Sequence, residues 1–153
     1  MAASASSIDI TKYTGKWKPN VSKSDDFEPF LAEAGVPWLV RKAIKRSAPI
    51  TELAVTGTTF RAVVNSGSGK ANEGTFGEEI DWHTPGGTSK VKLELSAEGA
   101  ISMTGPSPNA KDPKGTLVTT YTLLPDGTLQ LTMHISRGDG SELLIRRILE
   151  RAD

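Results

Sequence analysis

The chain has 153 residues, 18 basic and 18 acidic side chains, and no cysteine. This length corresponds to about one domain, in which roughly 68–70% of the extended-chain surface can be buried, so we expect a single domain over residues 1–153. The formal net charge of zero disfavours nucleic acid as a partner, because the chain has no bulk attraction to phosphate backbones. The absence of cysteine excludes disulfide frameworks, thiolate catalysis and cysteine-based metal sites.

The opening residues carry no targeting pattern. No segment approaches the roughly 18 apolar residues of a membrane span, and no charged region is followed by an apolar one as in a signal peptide. We therefore expect a soluble, cytoplasmic protein with a flexible tail over residues 1–9.

A first strand, Tyr13–Lys18, precedes the helical stretch Ser24–Ser47. Ser24 is suited to be the N-cap of a first helix, Gly35 to end it, and Pro37 to occupy the first position of a second helix. The apolar residues of the first helix recur with helical spacing at Phe27, Phe30, Leu31 and Ala34. A helix-turn-helix is thus predicted between the first two strands.

From residue 50 onward, apolar and polar residues alternate with period two, and turn residues interrupt the pattern every eight to twelve positions. This pattern is typical of an antiparallel barrel or sandwich. Since the helical pair does not fit inside a small barrel, we expect it to cover an open end. The nine predicted strands are Ile50–Thr56, Thr59–Val64, Lys70–Thr75, Glu78–Thr84, Lys90–Ser96, Ala100–Thr104, Thr116–Leu124, Thr128–Ile135 and Glu142–Glu150.

Three segments resemble a known family. They are Tyr13-Thr14-Gly15-Lys16-Trp17-Lys18, the stretch from Asp25 to Val36, and the closing Arg-Ile-Leu-Glu-Arg at 147–151. These segments are similar to the intracellular lipid-binding proteins, which include the fatty acid-binding and cellular retinoid-binding proteins. The resemblance implies a mainly β, ten-stranded antiparallel up-and-down barrel with a helix-turn-helix lid. It further implies a monomer that carries a long-chain fatty acid or similar hydrophobic ligand and needs no cofactor.

The same resemblance implies a site for the ligand's head group. Many members hold a carboxylate with two arginines and a tyrosine. Arg147 matches one arginine, Leu149 stands where the tyrosine is expected, and the other arginine falls near Tyr121. Arg147 and Tyr121 are therefore predicted to hold a carboxylate or a less charged head group. Arg147 shares the strand phase of Ile145 and Leu149 and is predicted to face inward; the alternative is that it points outward.

Further ligand contacts are predicted at Phe27 and Leu31, which match portal positions of the family, although simple core packing explains them equally well. Leu131 and Met133 lie on one face of the ninth predicted strand and are interpreted as cavity wall. Leu149, at the position where the family has a tyrosine, is also predicted to contact the ligand.

Trp38 is also included among the predicted ligand-binding residues. It lies within one helical arc with four cations, Arg41, Lys42, Lys45 and Arg46. This grouping gives the hypothesis that the lid contacts anionic membranes transiently. The alternative is a solvated basic face with the tryptophan folded onto the barrel rim.

The predicted function is a non-catalytic carrier. The alternative is a lipocalin-like isomerase or hydrolase acting on a hydrophobic molecule in the same cavity, with Tyr121, His83 or His134 as acid or base. Against the enzyme, the sequence offers no paired carboxylates and no nucleophile beside a base. No metal is expected, because the two histidines have no third ligand at metal spacing.

Overall fold

The computed structural model describes residues 9–47, 49–64, 71–84 and 87–152. These residues form ten antiparallel strands in one sheet, with the order β4-β3-β2-β1-β10-β9-β8-β7-β6-β5. The strands are β1 (Gly15–Pro19), β2 (Thr51–Thr56), β3 (Thr59–Val64), β4 (Ala71–Thr75), β5 (Glu79–Thr84), β6 (Gly87–Leu95), β7 (Ile101–Pro106), β8 (Thr116–Leu123), β9 (Leu129–Ser136) and β10 (Glu142–Arg151).

The order follows the chain, except that β1 pairs with β10 and thereby joins the two halves of the sheet. Strands β4 and β5 are the two ends of this order and share no ladder. The result is a nearly closed up-and-down barrel, which confirms the predicted fold class. We call the line between β4 and β5 the seam.

The lid lies between β1 and β2. It consists of helix α1 (Glu28–Glu33) and helix α2 (Trp38–Ser47), preceded by a 3-10 turn at Val21–Lys23. Gly35 ends α1 with φ near +77°, a conformation that favours glycine. The predicted helix pair and its break are confirmed.

The prediction that Ser24 caps the first helix was wrong. Its hydroxyl donates to the carbonyl of Asn20 at 2.7 Å and accepts from the Ile148 amide at 2.9 Å, which fixes the chain to β10. The helix begins later, after Phe27, and the Asp26 carboxylate accepts a hydrogen bond from the Glu28 backbone amide at 3.0 Å. Ser24 is unavailable as a cap because tertiary partners use its hydroxyl.

Strand ends differ from prediction where pairing extends beyond the apolar alternation. β6 starts at Gly87, which pairs with Thr84, and β7 continues to Pro106, which pairs with Thr116. Asp9 is not part of a tail, since its side chain accepts the Thr11 amide and begins a 3-10 turn. The rest of the predicted tail, Lys70 and residues 85–86 lie outside the described residues.

The buried side chains form two groups. The floor cluster fills the end of the barrel away from the lid and includes Tyr13, Trp17, Leu53, Phe60, Leu93, Ile101, Tyr121, Leu129 and Leu149. The lid cluster packs the helices onto the barrel through Phe30, Leu31, Val36, Met133, Ile135 and Ile145. Among the helices that the structure describes, none is long and apolar enough to cross a bilayer.

Candidate ligand site inside the barrel

Strand register brings three predicted site residues into one row. Leu131 on β9 pairs with Tyr121 on β8 and with Arg147 on β10. Because paired residues on adjacent strands point to the same face of a sheet, all three share the face on which Tyr121 is buried. Sequence reasoning named each of them, and the structure places them side by side.

Arg147 is half-buried and lies on the inward phase of β10, with the buried Ile145 and Leu149. Its Nη1 donates to the Asp25 carbonyl at 2.7 Å, and its guanidinium lies 5.4 Å from the Phe27 ring centroid. Burial lowers the pKa of Arg147, and the carboxylates of Asp26 and Asp25 oppose that shift. A guanidinium nevertheless stays charged in proteins, so Arg147 is a cation next to the lid entrance.

Tyr121 is 5% exposed, and its ring lies 5.8 Å from that of Phe60. No hydrogen bond from its hydroxyl to another described residue is present, and burial raises its pKa to about 12. The phenol is therefore a neutral hydrogen-bond donor throughout the physiological range. Such a hydroxyl can hydrogen-bond to a ligand oxygen or to a water molecule inside the barrel.

Leu131 lies where the two hydrophobic clusters meet. Among the described residues, it is the side chain that packs against both the floor cluster and the lid cluster. It faces inward on a central strand and is nevertheless partly exposed. Met133 and Leu149 are buried, one in each cluster. Leu131 therefore joins the two clusters, and part of its surface stays accessible.

Phe27 and Leu31 have different positions on the lid. Phe27 is partly exposed, stacks on Phe30 with centroids 5.3 Å apart, and lies under the Arg147 guanidinium. Leu31 is buried within the lid cluster. Phe27 thus lies at the entrance to the row, and Leu31 anchors α1.

Trp38 does not line the interior. Its side chain is 57% exposed and Leu39 beside it 74%, so the tryptophan is not folded onto the barrel rim either. α2 packs inward instead through Ile44, a partly buried member of the lid cluster. Since Trp38 lies six residues earlier, about 120° away around the helix, it faces another direction.

Three cations of α2 are paired with carboxylates around α1, and the side chain of Arg46, the fourth predicted cation, lies outside the described part of the chain. Arg41 Nε lies 3.1 Å from Glu28 Oε1, Lys42 Nζ lies 4.0 Å from Glu28 Oε2, and Lys45 Nζ lies 3.7 Å from Asp26 Oδ2. The predicted basic face is therefore largely neutralised within the lid. These pairs hold α2 against α1.

A carboxylate at the end of α1 ties the lid to two barrel loops. Glu33 accepts from Arg137 at 3.0 and 3.2 Å and from the Asn109 amide at 3.0 Å. The hydrogen bond from Arg137, followed by that from Asn109, lowers the pKa of Glu33. The long loop after β7 thereby holds α1 in place.

The two histidines lie apart from the row. His134 Nε2 lies 2.7 Å from Glu142 Oε1 on the outside of the barrel, and His83 Nδ1 lies 2.9 Å from the Thr88 hydroxyl. Within the described ranges, no cluster of three or more histidine and carboxylate groups is placed to hold a metal ion.

Sequence reasoning missed three contributors to the interior. The backbone of Asp25 meets Arg147, Phe60 lies among the rings of Phe76, Trp82 and Tyr121, and Asn72 is buried at the seam. The strand phase of Phe60 was available as a signal. The other two contacts depend on how distant segments meet.

Comparisons with known proteins give consistent matches. The chain is 38% identical over 83 residues to fatty acid-binding protein homolog 5 of Caenorhabditis elegans, covering 52% of this chain and 58% of that protein, less than two thirds of its length. It is 32% identical over 92 residues to a fatty acid-binding protein of Tyrophagus putrescentiae, covering 59% of this chain and 67% of that protein. No protein-family model matches.

A solved structure has the same fold. The Schistosoma mansoni fatty acid binding protein in complex with arachidonic acid superposes with a TM-score of 0.70 at 23% identity. The superposition covers 95% of this chain and 100% of that one. The likeness therefore extends over the whole barrel and its lid.

Proposed function

The chain belongs to the fatty acid-binding protein family, and from that premise we propose that it is a non-catalytic cytoplasmic carrier of a long-chain fatty acid or similar hydrophobic molecule. The row of Tyr121, Leu131 and Arg147 is the observation that carries this proposal. This row has one cation, one neutral donor and one apolar side chain on the inward face of neighbouring strands.

Apolar burial supplies most of the affinity in this proposal. An extended chain of about 14 methylenes, at about 0.8 kcal/mol each, contributes about 11 kcal/mol on burial. Ordering costs amount to several kcal/mol. The remainder is enough for submicromolar binding before any head-group contact is counted, which is consistent with a family position occupied here by Leu149 rather than tyrosine.

The head-group contacts refine the choice of ligand. Arg147 offers a charge-assisted hydrogen bond, and Tyr121 offers a donor that stays protonated. We propose that they receive a single oxygen-bearing head, either a carboxylate or a less charged group, with Phe27 at the entrance. Leu131, Met133, Leu149 and Leu31 serve as apolar walls of the same space.

Catalysis is less well supported by the same geometry. The high pKa of Tyr121, about 12, makes its phenol a poor acid or base near neutral pH. His134 pairs with Glu142 outside the barrel, and the His83 ring is hydrogen-bonded to Thr88. Neither imidazole is positioned beside the Tyr121 hydroxyl.

Native mass spectrometry of the purified protein, followed by organic extraction, tests the carrier proposal. We expect a co-purified acyl lipid, or stoichiometric uptake of cis-parinaric acid with submicromolar affinity, recovered chemically unchanged. A protein that is empty and also takes up no probe contradicts the proposal. Conversion of the bound molecule, abolished by Tyr121→Phe, would favour the enzyme.

We further propose that the lid contacts anionic membranes through α2, with Trp38, Leu39 and Val40 entering the interface. All three side chains are exposed, and Lys42 and Lys45 beside them are paired but keep 41% and 55% of their side-chain surface in solvent. Exposed apolar residues next to cations are typical of interfacial helices.

Leu39→Ser is expected to reduce binding to vesicles of phosphatidylcholine and phosphatidylserine by roughly ten-fold, since it removes one inserted leucine. Flotation with these vesicles measures the effect. Leu144→Ser on β10 is the matched control, because Leu144 is equally apolar and also exposed but lies on the barrel wall and not on α2. Equal loss in both variants, or binding unchanged in Leu39→Ser, would exclude docking through this helix.

A further inference from the structure

The seam is the one line along the described barrel where neighbouring strands share no ladder. A turn connects β4 to β5 at its lower end, with the Glu78 amide donating to the Thr75 carbonyl at 3.1 Å. Beyond that turn, backbone pairing gives no support, so side chains alone must hold the two strands together.

Asn72 on β4 provides this link. Its Oδ1 accepts the His83 amide at 2.7 Å, and its Nδ2 donates to the His83 carbonyl at 3.0 Å. The carboxamide thus makes the two bonds that an antiparallel backbone partner makes in a closely spaced pair. Asn72 is 4% exposed, one of the two buried polar side chains among the described residues.

The lower part of the seam is closed differently. Gly74 lies so close to Ile80 on β5 that a Cβ at position 74 would overlap the Ile80 Cγ2 atom. Apolar contact therefore seals the seam near the turn. Above this contact, the described residues of β4 and β5 are joined by the two hydrogen bonds between Asn72 and His83.

Asn72 lies toward the lid end of the barrel. Thr51 is the first residue of the strand that follows α2, it pairs with Val64, and Val63 pairs with Ala71. The upper end of β4 is therefore on the side where the lid meets the sheet. Separation of β4 from His83 there would widen the opening into the interior.

We propose that Asn72 is a positioning residue that latches the upper seam and thereby sets how fast a bound ligand escapes. The proposal rests on the carrier function for its kinetic consequence, although the latch itself can be measured without a ligand. Loss of the carboxamide leaves the His83 amide and carbonyl without partners on an edge strand. Strand separation then becomes easier, while the head-group row is unchanged.

Asn72→Leu tests the latch, since leucine has a similar size and makes no hydrogen bond. We expect the His83 amide to exchange with solvent hydrogen roughly ten-fold faster, and cis-parinaric acid to dissociate faster by a similar factor. Gln130→Leu is the matched control, because it removes a side-chain amide from the outward phase of β9, which is not adjacent to β4 or β5 in the sheet. Exchange and dissociation rates equal to those of the control would overturn the proposal.

Asn72→Asp distinguishes a latch from a general loss of stability. An ionised aspartate repels the His83 carbonyl, whereas a protonated one can both accept and donate as the amide does. Dissociation from this variant should therefore slow toward the wild-type rate as pH falls, while Asn72→Leu keeps a constant ratio to wild type. Other ionisable side chains also lie near the seam, namely Arg61, Glu73, Asp81 and His83. Measuring the wild-type dissociation rate over the same pH range corrects for their effect.

The two proposals fail in different ways. A wild-type protein that takes up no probe contradicts the carrier function, and the exchange rate of the His83 amide still decides the latch. Normal probe affinity together with an unchanged His83 exchange rate in Asn72→Leu contradicts the latch and leaves the carrier function standing.

Discussion

Arg147→Ala is expected to weaken the binding of cis-parinaric acid by roughly 10- to 100-fold, as the loss of one charge-assisted hydrogen bond implies. Arg147 is the cation of the inward row and lies next to Tyr121 and Leu131 in register. The methyl ester of the same probe is uncharged and forms no charge-assisted hydrogen bond with Arg147. The substitution should therefore weaken binding of the ester several-fold less than binding of the acid. Fluorescence titration of both probes against both proteins measures the difference.

A purely structural role for Arg147 predicts another result. The guanidinium also holds the Asp25 carbonyl and covers Phe27, so its loss could simply loosen the entrance to the lid. In that case the acid and the ester weaken equally and the melting temperature falls. Arg146→Ala is the matched control, because Arg146 is the exposed neighbour on the outward phase of β10.

Trp17→Ala is expected to lower the free energy of unfolding by about 3–5 kcal/mol, the usual cost of removing a large aromatic side chain from a core. Trp17 is 0% exposed in the floor cluster, and its Nε1 donates to the Tyr13 carbonyl at 2.9 Å. Because total stability is only about 5–15 kcal/mol, this substitution removes a large part of it. Urea denaturation followed by circular dichroism measures the change.

The control for this prediction is Trp17→Phe, which keeps an aromatic ring in the floor cluster and loses the hydrogen bond to Tyr13. Trp17→Phe should lower the free energy of unfolding clearly less than Trp17→Ala does. Arg151 lies over the Trp17 ring at 4.2 Å from its centroid, so Arg151→Ala gives a separate measure of that contact. Equal stabilities of Trp17→Ala and wild type would mean that the floor cluster does not depend on this residue.

Local chemistry was enough to predict the strands and the helix pair, whereas the choice of a ten-stranded barrel over a sandwich came from the family resemblance. The period-two alternation predicted the strands, as at Thr51–Thr56, because every second side chain there is buried. Gly35 marked the break between the helices, since a positive φ there favours glycine. The same alternation placed Arg147 on the phase of Ile145 and Leu149.

Alternation assigns a side chain to a face but does not say which residues lie opposite it. The row of Tyr121, Leu131 and Arg147 depends on the register of three strands, which is set by the pairing of whole strands and the turns between them. Sequence reasoning therefore named the residues of the row without establishing that they are neighbours.

Polar side chains were the least predictable from the sequence, because their partners are distant in the chain. Ser24 has the chemistry of an N-cap but bonds to Ile148 and Asn20. On α2, Arg41 pairs with Glu28 and Lys45 pairs with Asp26. Asn72 meets His83 only because the barrel brings its two edge strands together. The sequence by itself determined the strands, the lid and the inward phase; the closure of the barrel decided which hydrogen-bonding groups met, since such bonds require contact within about 3 Å.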